Sequence, residues 1–129
     1  MLINKSLQDL EKQDYGNPDP DSSFLVRHCI QLTKIPINNF TIEDLRIMIS
    51  QNFGLTYLVP LAIEKLKKDI LAEGDFYPGD LLKSVASIES DFWVRHKQLF
   101  LSLKMIIDQN KNEIDEAGIL LDKFTDLSF

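Results

Sequence analysis

FTIEDLRIMISQNFGLTYLVPLAIEKLKKDI, residues 40–70, decides the fold class. Thr41 followed three residues later by Asp44 is a near capping box, in which hydroxyl and carboxylate bond the backbone N–H groups that open a helix. Behind it Ile42, Leu45, Met48 and Ile49 fall three or four apart on one face, up to Asn52 and Gly54. Thr56 then caps a second helix, in which Val59, Ile63, Leu66 and Ile70 recur at spacings of four, three and four. Leu58 and Ala62 widen that stripe, which predicts the central helix of the fold. Pro60 is tolerated in a first turn, whose N–H groups have no intrahelical partner anyway.

The same period continues outward on both sides. Ser6, with Asp9 three residues on, predicts a short first helix carrying Leu7 and Leu10. Asn17-Pro18 and Asp19-Pro20 push their first residues out of α conformation, making residues 15–21 a loop. Asp21 or Ser22 caps the next helix, with Leu25, Cys29 and Leu32 on one stripe before Pro36. Pro78 and Asp80 suit the first turn of a helix above Leu81, Leu82 and Val85. From Glu89, the series Phe92, His96, Leu99, Leu103, Ile106 predicts either one long helix or two broken near His96. Ile114, Ala117, Leu121 and Phe124 predict a last helix with Gly118 inside it. Alternating apolar and polar runs are almost absent. The expectation is an all-α, compact single-domain bundle of about six to seven short helices over residues 1–129.

Composition bounds the function. With 129 residues, 44% of them hydrophobic and 26% charged, the chain can bury one core without disulfides or metals and is not a disordered tail. No apolar run reaches the roughly 18–20 residues of a membrane span. The opening MLINKSLQDLEK has no apolar run of signal-peptide length, so the expected address is the cytoplasm. A lone cysteine, Cys29, and two histidines, His28 and His96, do not make a structural zinc site, and no metal or cofactor is expected. Fourteen basic against twenty acidic side chains give a net charge of -6, which opposes phosphate backbones and anionic membranes as partners. A basic protein is the charge-matched partner, with the free chain a monomer or weak dimer.

No arrangement of catalytic residues is expected. His28 and Cys29 are adjacent, about 100° apart on a helix, and cannot face each other as base and nucleophile. Cys29 reads as a core residue and His96 as a packing residue. Glu73, Asp75 and Asp80 lack a His, Lys or second carboxylate cluster at a motif spacing, and Phe76, Tyr77 and Pro78 interrupt any EF-hand pattern. Gly74 and Gly79 lack the lysine and spacing of a phosphate loop. Capping and loop-fixing are the simpler roles of these acids. Lys65, Lys67 and Lys68, flanked by Glu64 and Asp69, read as a solvated helix face. Acidic residues are gathered: residues 9–21 hold five against one lysine, residues 69–91 hold six against one, and Glu113, Asp115 and Glu116 form a third group. Such faces are most often plain solvated surface, and they are also what a tight binder of a basic protein presents.

Five stretches run in order through the chain: DYG (14–16), DSSFLVRHC (21–29), FTIEDLRIMISQNFGLTYLVPLA (40–62), LAEGDFYPGDLL (71–82) and the pair Phe92-Trp93. Together, over roughly residues 10–103, they resemble the contact-dependent growth inhibition (CDI) immunity proteins of Gram-negative bacteria. GLTYLVPLA followed closely by AEGDFYPGD is the most specific combination, while Thr56 and Ile70 stand where proline is common in the family. The resemblance implies a small cytoplasmic protein, not an enzyme, that binds and neutralises the toxic C-terminal domain of its own system's effector. Those toxins are frequently nucleases, whose phosphate-holding surfaces are basic, which agrees with the acidic balance here. Members neutralise different toxins, so the shared motifs are expected to hold the fold and the specificity surface to lie elsewhere. Glu113, Asp115, Glu116 and Asp122, beyond residue 103, are the preferred partner face; Glu73 and Asp75 are its rival. Two other classes stay open in the sequence: an acidic helical adaptor or regulatory protein docking another basic protein, and a small hydrolase using the Asp75 and Asp80 carboxylates.

Overall fold

A computed structural model describes residues 4–128; the first three residues of the amino-terminal stretch and Phe129 lie outside the described residues. Among the described residues the elements are α1 (Leu7–Glu11), α2 (Phe24–Leu32), α3 (Ile42–Ser50), α4 (Leu55–Lys68), α5 (Asp80–Ala86), α6 (Ser90–Arg95), α7 (Lys97–Gln109), α8 (Lys111–Glu116) and α9 (Asp122–Thr125), with a 3-10 turn at Ile37–Asn39. The all-α expectation holds. The count exceeds seven because two of the periodic series are broken by backbone conformation. His96 adopts φ -132° and ψ 57°, which separates α6 from α7. Gly118 at φ 74° ends the turn after α8, so the expected last helix is two short ones. Ala117, expected inside, is exposed as a consequence, and Ile119 is buried instead.

Helix starts follow local chemistry. The Thr41 hydroxyl accepts from the Asp44 N–H at 3.1 Å while the Asp44 carboxylate accepts from the Thr41 N–H at 3.0 Å, a closed capping box. Ser6 caps α1 by accepting from the Asp9 N–H. Ser23, one residue later than expected, caps α2 by accepting from the Val26 N–H. Leu25, in the first turn of α2, is exposed, leaving Cys29 and Leu32 as the buried stripe. Gly54, not Thr56, precedes α4 and takes φ 58°; a Cβ there would lie 2.6 Å from the Leu7 methyls. Pro60 therefore stands in the second turn of α4, where it removes the N–H that would bond the Thr56 carbonyl.

α4 is the central helix. Leu58, Val59, Ala62, Ile63 and Leu66 are buried along it, and it packs against α3, α5 and α7. α3 packs along α5, and Leu45, Met48, Leu81, Leu82 and Val85 are all buried in the one core. The far end is closed by aromatic rings. Trp93 meets Phe92 and Phe124 edge-on at 5.1 and 5.2 Å, and Phe124 lies 4.9 Å from Phe100, so α9 is pinned to α6 and α7. Edge-to-face rings at these separations add about 0.5–1.5 kcal/mol per pair beyond their buried area.

Candidate functional site

The loop before α5 is built outward from α3. Arg46 grips Glu43 with two hydrogen bonds, Nε to Oε1 at 2.7 Å and a terminal nitrogen to Oε2 at 2.6 Å. The free side of Glu43 Oε1 accepts the Asp75 N–H at 2.9 Å. Asp80, only 3% exposed, accepts the Gly74 N–H at 2.7 Å and the Phe76 N–H at 3.1 Å, one on each oxygen. The Arg46 guanidinium covers the Phe76 ring at 4.4 Å. Gly74 leaves no room for a Cβ, which would meet Glu43 Oε1. The Arg46 hydrogen bonds hold the Glu43 carboxyl below its ordinary range, against the opposing effect of burial, with the Asp75 N–H and the guanidinium charge helping. Asp80 is thus a loop-fixing carboxylate rather than half of a catalytic pair, while the Asp75 side chain is exposed.

Glu113, Asp115, Glu116 and Asp122 are all exposed. Ile114 anchors α8 and Phe124 anchors α9, so these acids stand outside a buried apolar seam. The break at Gly118 brings Asp115 and Asp122 to one cleft of about 130 Å³, which Lys111, Ile119 and Leu120 also line. Glu113 borders a different depression with Asp108 and Lys111, and Glu116 lines neither.

A second cleft, of about 280 Å³, joins the two regions. Tyr77 and Lys83 line one side, and Ala117, Gly118, Ile119 and Leu120 the other. The Lys83 ammonium donates to the Leu120 carbonyl, and Gly79, at φ 94°, lets Ile119 approach so closely that a Cβ would lie 2.6 Å from its terminal methyl. Among the described residues no group of three or more His, Cys, Asp or Glu could hold a metal ion, and no helix is long and apolar enough to cross a membrane. Burial pushes the Cys29 thiol up in pKa, and His28 lies 3.9 Å from Asp44 on the neighbouring helix.

The sequence profile of the CDI immunity proteins matches residues 9–103. The chain belongs to that family. No curated protein and no solved structure was found to match it. As a CDI immunity protein it is of the class that binds and neutralises a CDI toxin, a class generally without enzymatic activity. The matched residues of this immunity protein end inside α7, so α8 and α9 lie outside them. The sequence singled out Glu73, Asp75, Glu113, Asp115, Glu116 and Asp122 but not Tyr77, Lys83 or Leu120. The available signal was Ile119-Leu120-Leu121 after a glycine, three consecutive apolar residues that one helical face cannot bury together.

Proposed function

We propose that this CDI immunity protein acts in the cytoplasm, as one domain, by binding the C-terminal toxin domain of its own system's effector and covering that toxin's active site or substrate groove. The toxin is a basic nuclease in this reading, and the immunity protein contributes no chemistry of its own. The match to the CDI immunity proteins over residues 9–103 carries the neutralising role. The net charge of -6 supports the nuclease, because an acidic inhibitor is steered to a phosphate-holding surface and competes there with nucleic acid. Nuclease–immunity pairs are among the tightest known complexes, so a Kd of about nanomolar or below is expected.

Glu113, Asp115, Glu116 and Asp122 are the carboxylates assigned to the toxin, with Glu73 and Asp75 as the second acidic group. All six are exposed and so available for charge-assisted hydrogen bonds to arginine and lysine. Copurification with the toxin domain encoded beside this chain's gene, followed by growth rescue of cells expressing that toxin, tests the reading. Failure of both to occur contradicts it.

A further inference from the structure

We propose that the toxin docks on a single surface centred on Leu120 and Tyr77, so that the loop before α5 and the segment between α8 and α9 form one interface rather than two rival ones. This rests on the toxin-neutralising reading above and names its contact. The occupant is a basic protein surface that presents an apolar side chain ringed by lysines or arginines.

Leu120 is 68% exposed between Ile119 and Leu121, both buried, and its carbonyl is tied to the Lys83 ammonium, so it is held outward rather than left loose. Tyr77, 42% exposed, faces it across the cleft of about 280 Å³, on a loop made rigid by Asp80 and Glu43. A preorganised aromatic and a fixed leucine beside a concave wall are what interface anchors require. The other side of Leu120 slopes into the cleft lined by Asp115 and Asp122. Residues 111–126 hold five acids and two lysines, Lys111 beside Asp115 and Asp122 in that cleft and Lys123 paired with Glu89 at 2.7 Å, while the Lys83 ammonium is turned onto the Leu120 carbonyl; acids remain in excess. The apolar centre is therefore flanked by carboxylates, and a neutral or acidic partner is disfavoured. Leu101 and Met105 on α7 are comparably exposed, but that helix's exposed face carries Lys97 besides Lys104, which pairs with Asp108 at 4.0 Å, and so has no surplus of acids to match a basic partner.

The probe is the purified toxin domain encoded beside this chain's gene, with binding followed by interferometry against the full chain. Leu120→Ala and Tyr77→Ala each weaken affinity by at least about 30-fold, mainly through dissociation rate, with unchanged circular dichroism. Leu101→Ala and Met105→Ala leave affinity within about twofold. Hydrogen exchange in the complex shows protection at residues 74–79 and 117–122. If the unaltered chain binds while the Leu120→Ala, Tyr77→Ala double variant binds equally well, or protection falls only elsewhere, this interface is wrong and the neutralising reading stands. If the unaltered chain itself does not bind, the neutralising reading fails and this interface with it.

Discussion

Replacing Asp80 with alanine should unfasten the family loop, and the size of the effect follows from its bonds. The carboxylate accepts two backbone N–H groups at 2.7 and 3.1 Å and is 3% exposed. Hydrogen bonds to a charged acceptor contribute about 1.5–3 kcal/mol each. Gly74 is half-buried and Phe76 exposed, so water recovers part of the loss at the freed N–H groups. Arg46 keeps both hydrogen bonds to Glu43 and is not left unpaired, which limits the penalty further. The expected destabilisation is about 3 kcal/mol, or a fall in Tm of about 10 °C for a chain of this length. Asp80→Asn, which keeps one acceptor, should lose about half as much. Asp75→Ala, an exposed side chain in the same loop, should change stability by about 0.5 kcal/mol or less. Urea unfolding followed by circular dichroism at neutral pH measures all three. A loss under about 1 kcal/mol for Asp80→Ala, or equal losses at Asp75 and Asp80, would refute the loop-fixing role.

Leu66, fully buried in α4, should cost about 2–5 kcal/mol as Leu66→Ala by the same unfolding assay; under about 1 kcal/mol contradicts its central place. Glu43 has its folded pKa lowered, first by the Arg46 hydrogen bonds, so its contribution to stability is complete above the ordinary value of 4.5 and is lost as pH falls through the folded value. Stabilities of the natural protein and Glu43→Gln should therefore differ at pH 7 and converge as pH falls from 4.5 through the lowered folded value; a difference independent of pH argues against that coupling. Asp115→Lys with Glu116→Lys should slow toxin association, most at low salt, without altering the fold. Glu73→Lys with Asp75→Lys probes the other flank by stopped-flow, and no change in association from either pair at any ionic strength removes the electrostatic role.

Local signals in the sequence carried most of the architecture. The Thr41 capping box, the Val59, Ile63, Leu66 stripe and the Ser6 cap stand where the residues place them, because each depends on neighbours within four positions. Boundaries moved where two residue types compete for one task. Ser23 displaced Ser22 as a cap, and Gly54, held at positive φ against Leu7, started α4 before Thr56. Ile114, Leu121 and Phe124 have the spacing of one helix and are all buried, although Gly118 breaks the helix and Ile119 fills the gap. The candidate site was legible only as charge. Asp75 and Asp80 look alike in sequence; the fold of the loop turns the Gly74 and Phe76 N–H groups onto the Asp80 carboxylate and Arg46 of α3 lies 3.9 Å from it, while Asp75 is held only through its backbone N–H to Glu43 and its side chain stays exposed. The juxtaposition of Tyr77 with Leu120 is likewise a tertiary fact with no local signature.

The most direct test of neutralisation is titration of the adjacent toxin domain's activity with the purified protein. Substrate turnover should fall linearly to zero at about one equivalent, as expected for a complex of about nanomolar affinity or tighter that covers the toxin's working surface. A toxin domain that stays fully active at saturating protein, while cells carrying the protein are still spared, would contradict direct blockade.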